Sequence, residues 1–137
     1  MGHRQLTGRV IKAGTAQGIA LVSPDPIGFF GGIDPQTGRV IEAGHPLAGQ
    51  CVAGRVLVFP TGKGSTVGSY ILYRLKKNQK APAAIINTES EPIVAVGAII
   101  SDIPMLDGIA AGQIRSGDRV LIHNETVEIY SPPNQEA

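Results

Sequence analysis

Residues 54–69 read GRVLVFPTGKGSTVGS. Val56 to Phe59 make an unbroken apolar run closed by Pro60, the pattern of a strand buried on both faces. In the turn behind it, Gly62 and Gly64 permit positive φ, and Ser65 and Thr66 stand where a helix should begin. From Ser65 to Asn78 the period changes. Val67, Ile71, Leu72 and Leu75 fall at helical spacing, and Arg74, Lys76 and Lys77 gather toward the end, where cations suit the helix dipole. Strand, glycine turn and helix in that order predict an α/β fold, with a turn at the strand end that favours anions.

On either side the pattern extends this unit. APAAIINTE is a further short apolar strand, and EPIVAVGAIIS is read as a helix, with Pro92 just inside its start and Glu91 beside it. The predicted centre is therefore of βαβ type. SGDRVLIHNETVEIY closes the chain as a β-hairpin turning at Asn124 and Glu125. The first half reads as β-rich, with TGRVIKAG and GIALVS expected to pair as a hairpin. Gly31 to Gly54 does not fit, because only GRVIEA within it offers a strand. So long an irregular segment in a compact chain is expected to carry function. Asp34, in DPQTG, suits a turn cap.

The length of 137 residues predicts one domain over residues 1–130, with residues 131–137 as a flexible tail. A formal net charge of +1, with no basic tract beyond RLKKNQK, gives nucleic acid no electrostatic footprint to recognise. No apolar stretch is long enough for a membrane span, and the start has no signal-peptide pattern, so the cytoplasm is the expected compartment. Cys51 is the only cysteine, which excludes an internal disulfide and a cysteine-held cluster, and no metal ligand set is predicted.

The glycine turn matches neither common phosphate loop. Gly62-Lys63 is followed by Gly64 rather than Ser or Thr, against the Walker pattern, and Val67 stands where a dinucleotide fingerprint needs its third glycine. A serine nucleophile needs a histidine base held by a carboxylate. His3, His45 and His123 show no such local pattern, and G-x-S-x-G is absent. Ser65 can be a helix cap, or a functional hydroxyl beside Lys63 on a turn left open by Gly68 and Ser69. A helix terminus stabilises an anion by at most ~2 kcal/mol, about one and a half pKa units, which does not ionise a hydroxyl near neutrality. Additional positive charge has to come from outside the chain.

Three separated motifs, GGID from Gly31, GHPLAG from Gly44 and GKGSTVGS from Gly62, carry a resemblance to the aconitase X family in its separate small-subunit form. The resemblance extends from TGRVIKAGTAQGIALVS to GDRVLIH. It implies a swivelling β/β/α domain packed on a larger chain that holds an iron–sulfur cluster, of [4Fe-4S] type. It also implies a hydro-lyase acting on a small acid, inactive without the larger chain. Mevalonate 5-phosphate is the first expected substrate, and cis-3-hydroxy-L-proline the alternative. Ser65 matches the family's catalytic base. Gly31, Gly32 and His45, with Lys63, Gly64 and Thr66, fall at the substrate cleft between the chains. His45 has two readings, a substrate contact or a residue that fixes its own loop. This chain has Gly44 where many members carry a second histidine. The same architecture also serves as a phosphocarrier, with His45 as acceptor, but a carrier histidine belongs at a helix start and His45 has none.

Overall fold

The computed structural model describes residues 2–132, so most of the predicted tail, 133–137, lies outside the described residues. Eight strands form one curled sheet: β1 (His3–Thr7), β2 (Arg9–Lys12), β3 (Thr15–Val22), β4 (Val56–Phe59), β5 (Ala84–Asn87), β6 (Met105–Asp107), β7 (Arg119–His123) and β8 (Thr126–Tyr130). Two helices, α1 (Gly68–Lys77) and α2 (Pro92–Ile100), cover part of it. The strand order is β1-β8-β7-β3-β4-β5-β6-β2. β1 and β2 stand at opposite ends of that order, yet Gly8 alone separates them in the chain. The two ends must therefore meet, and the sheet closes on itself like an incomplete barrel.

The corner of this curl is β3. Its first half, Thr15 to Ile19, pairs antiparallel with β7, and its last residues, Ala20 to Val22, pair parallel with β4. Gly18 sits where the strand passes from one neighbour to the other. A Cβ there would stand 2.7 Å from the Gly54 carbonyl oxygen, so the crossing tolerates no side chain.

The period-2 alternation of β4 and β5 divides two cores. Val56, Val58, Ala84 and Ile86 point into the barrel, with Ala20, Leu106, Val120, Ile122, Val127 and Ile129. Leu57, Phe59 and Ile85 point outward, onto Ile71, Leu72 and Leu75 of α1 and Val94 and Ala98 of α2. Both faces of these strands are thus dry, as the apolar runs predict. α2 begins as expected: Pro92 occupies its first turn, and the Glu91 carboxylate accepts from the Ile93 and Val94 N–H groups.

Three expectations need correction. β2 and β3 do not form a hairpin. β2 pairs with β6 and β3 with β7 and β4, because the Gly-containing link lets the chain leave one edge of the sheet and enter its middle. The helix expected from Ser65 starts only at Gly68, with Val67 as its N-cap and no side-chain cap. GRVIEA yields isolated bridges, Ile33 to Val40 and Arg39 to Cys51, rather than a strand. The irregular segment between Val22 and Val56 is the crossover joining two parallel strands, a place usually filled by a helix. Its Ile27, Phe29, Ile33, Val40, Leu47 and Val52 pack into the same core as the two helices. Among the described residues no helix is long and apolar enough to cross a membrane.

β2 is fastened to β6 by one buried carboxylate. Asp107 accepts from Arg9 Nε at 2.8 Å and Nη2 at 2.6 Å, and from the Ser90 N–H at 3.1 Å. The Arg9 hydrogen bonds, against the cost of burial and with help from Ser90, hold its pKa at about 2, below the usual 3.8. A carboxylate whose folded pKa is depressed stabilises the fold above its unfolded pKa and loses that contribution as pH falls through the folded value. The melting temperature is therefore expected to decline between pH 4 and pH 2. Asp107→Asn should flatten that part of the profile, and an unchanged slope in the variant would remove Asp107 as its source.

Candidate functional site

The C-terminal ends of the parallel strands β3 and β4 open on one edge of the sheet, where ligands of open α/β sheets commonly bind. Three irregular segments meet there. The turn after β4 pairs with the start of the crossover: Ile27 N–H donates to the Thr61 carbonyl at 3.2 Å, and Lys63 N–H donates to the Ile27 carbonyl at 3.1 Å. The Arg39–Leu47 stretch joins through Ile41 N–H, which donates to the Gly32 carbonyl at 2.8 Å. Across the gap between them, Lys63 Nζ donates to Glu42 Oε2 at 2.9 Å.

Ser65 lies on the exposed part of this turn. Its Oγ accepts from the Val67 N–H at 3.1 Å, and its carbonyl accepts from Gly68 N–H at 2.9 Å. The side chain therefore closes a local Ser turn rather than capping α1, and the one N–H that reaches Oγ is that of Val67, the residue before the helix. A hydrogen bond received by Oγ favours the ionised hydroxyl, in the same sense as a dipole end but over a shorter range. Gly64 holds φ at +99°, so its conformation aims the exposed turn outward. Thr66 is exposed beside Ser65, and Gly31, at φ +80°, is exposed on the facing loop.

His45 is buried, with both ring nitrogens engaged. Leu47 N–H donates to Nδ1 at 3.0 Å, which leaves Nε2 as the N–H that faces the Pro26 carbonyl at 3.1 Å. The ring ties the Glu42–Leu47 stretch to the start of the crossover, and in this state it has no nitrogen free for a substrate. Asp34 Oδ1 accepts from Gln36 N–H at 2.9 Å, the turn role expected of it. Glu42 escaped the sequence reading. It pairs with Lys63, its carbonyl accepts from His45 N–H at 3.2 Å, and it borders Gly32. Its only signal was a lone carboxylate inside an apolar run, which says nothing about its partner.

The site lacks a second wall. Phe30 and Ile41 are each 57 % exposed and Val67 is 41 % exposed, so each of the three segments leaves a large apolar side chain uncovered. A concavity of about 520 Å³ lies elsewhere, against Tyr70, Tyr73 and Lys77 of α1. Among the described residues no group of three His, Cys, Asp or Glu side chains gathers, and Cys51 Sγ donates to the Thr37 carbonyl at 3.4 Å. The residues present do not fit an iron–sulfur cluster.

A model of the aconitase X swivel domain matches residues 5–129. The chain belongs to that family. It is 58 % identical over 119 residues to the phosphomevalonate dehydratase small subunit of Methanosarcina mazei, covering 85 % of this chain and 83 % of that one. It is 53 % identical over 125 residues to the protein of the same name from Thermococcus kodakarensis, covering 91 % and 94 %. Among solved structures, the holo-form crystal structure of Thermococcus kodakaraensis aconitase X superposes with a TM-score of 0.91 at 52 % identity, covering 93 % of this chain and 99 % of that one. A second chain, solved in solution by NMR, superposes with a TM-score of 0.85 at 45 % identity, covering 93 % and 100 %. The swivelling α/β domain expected from the three motifs is thus the fold of this chain, and the curl of the sheet around β3 is the aconitase X swivel architecture.

Proposed function

We propose that this chain is the small subunit of a two-subunit iron–sulfur hydro-lyase that converts mevalonate 5-phosphate to trans-anhydromevalonate 5-phosphate and water, a step of isoprenoid synthesis. The observation that carries the reading is the similarity, over nearly the whole chain, to proteins named phosphomevalonate dehydratase small subunit. The open site at Ser65 supports it, since one wall of a cleft is what a subunit of a shared site presents. The cluster, of [4Fe-4S] type, is assigned to the large subunit, and this chain is inactive alone.

Within that reading Ser65 is the base. Its oxygen takes a proton from the carbon next to the one bearing the leaving hydroxyl. The C–H electron pair becomes the new double bond, and the proton and hydroxide lost from neighbouring carbons make up one water. Val67 N–H supports the ionised oxygen on this side, and the remaining charge is supplied across the cleft. Lys63 faces the phosphate in exchange for Glu42; Gly31, Gly64 and Thr66, all exposed, line the approach; Gly32, expected there too, is buried against Gly28 and supports the loop from behind; and His45 holds the loop that carries Glu42. A phosphocarrier reading has no support from His45, whose ring nitrogens are both occupied by backbone groups.

The test is anaerobic assay of the co-expressed pair on mevalonate 5-phosphate and on cis-3-hydroxy-L-proline. Turnover of the phosphate ester, with the small subunit alone inert, is the expected result. Turnover of hydroxyproline alone would overturn the substrate, and turnover by the isolated chain would overturn the shared site.

A further inference from the structure

The two helices of the outer layer present very different faces to water. α1 is conventionally amphipathic: Ile71, Leu72 and Leu75 are buried, while Tyr70, Arg74, Lys76 and Lys77 face outward. α2 has no polar residue from Pro92 to Ile100. Its inner side, Val94, Gly97 and Ala98, is buried. Gly97 lets α1 approach so closely that a Cβ there would lie 2.7 Å from Leu72 Cδ1. Its outer side holds Val96, Ile99 and Ile100, exposed by 49, 50 and 53 %. A helix that is apolar all round is a buried helix, and here the chain itself covers only half of it. Nothing local favours three β-branched residues on a wet helical face, where Glu, Lys or Ala would form helix better.

We propose that this outer face of α2 is buried by the large subunit, as the permanent part of the interface between the two chains. The proposal rests on the two-subunit reading given above. Two observations favour the large subunit over a second copy of this chain. The relatives carry the name small subunit, which calls for a larger companion. The first turn of α2 also forms the back of the Ser65 turn. Glu91 Oε1 and Val94 Cγ2 fill the space where Gly62 would carry a Cβ, and Ser69 Oγ donates to the Ile93 carbonyl. The Ser65 turn and α2 are therefore packed as one unit, and a chain that docks on the turn has α2 as a neighbouring element. Absence of charge at the centre marks the interfaces of lasting complexes, whereas the cleft around Ser65 has to stay polar enough to admit an acid.

The double variant Val96→Lys/Ile99→Lys changes only half-exposed positions, and circular dichroism should report an intact fold. Co-expressed with the organism's own large subunit, it is expected to bind at least about 100-fold more weakly by sedimentation or titration, two Lys at an interface core costing at least ~3 kcal/mol in uncompensated charge. Ser65→Ala in the same experiment should bind like the wild type. If the wild-type pair assembles and dehydrates its substrate while the Lys variant binds equally well, the α2 assignment fails and the functional reading stands. If the wild-type chains do not associate, the two-subunit reading fails first. Sedimentation of the isolated chain as a dimer that the same substitutions dissociate would assign the face to a second copy and overturn the proposal.

Discussion

Ser65→Ala, purified with the large subunit, is expected to lose about 10³-fold in kcat on mevalonate 5-phosphate, within the range a positioned base contributes. The fold should be almost untouched. Ser65 is exposed, and the Val67 N–H that loses its acceptor is free to bond water, so the cost is about 0.5–1 kcal/mol or less. KM should change little if Ser65 is the base proposed above, since such a base acts on a proton and not on the phosphate or carboxylate that anchor the substrate. That combination separates a base from a structural serine, which would lower stability and activity together. Full turnover by the variant would remove Ser65 from the chemistry.

The second large effect lies in the facing loop. Gly32→Ala places a Cβ against the Gly28 carbonyl oxygen, a backbone atom that cannot turn aside as a side chain can. Gly28 in turn packs closely on the Ser65 turn, where a Cβ on it would stand 3.0 Å from the Lys63 carbonyl oxygen, so a shift of the Gly28 backbone is felt in that turn. Overpacking of this kind costs about 3 kcal/mol, which lowers the melting temperature by about 10 °C in a chain of this size. Gly31→Ala is the control. A Cβ there meets nothing within 4 Å, and only the left-handed φ of +80° opposes it, at about 1 kcal/mol. Equal melting temperatures for the two variants would show that close approach at Gly32 is not what holds the loops together.

Much of the central fold was legible. The run Val56 to Phe59 predicts a doubly buried strand because each residue faces one of two cores, and EPIVAVGAIIS declares its helix through Glu91 and Pro92. β1 gave no signal. HRQLT is exposed on nearly every residue, and its hydrogen bonds to β8 leave no trace in residue type. β6, three residues long, is too short for any period to register. The hairpin predicted for β2 and β3 failed because adjacency in sequence favours pairing locally, while closure of the barrel sends the two strands to different neighbours. At the site, the motifs picked out Gly31, Gly32, His45 and the Gly62–Thr66 turn, but not Glu42, since an ion pair between residues 42 and 63 follows no spacing rule.

Sequence alone determined the buried run from Val56 to Phe59, the body of both helices and the glycine turn that carries Ser65, because period, glycine and capping chemistry act within a few residues. Only the tertiary structure decided that β3 serves two neighbours, that the Val22–Val56 crossover replaces a helix, and that α2 is apolar on both sides with one side uncovered. Those facts depend on contacts between segments far apart in the chain, where burial and close packing choose among arrangements that local preferences leave equal.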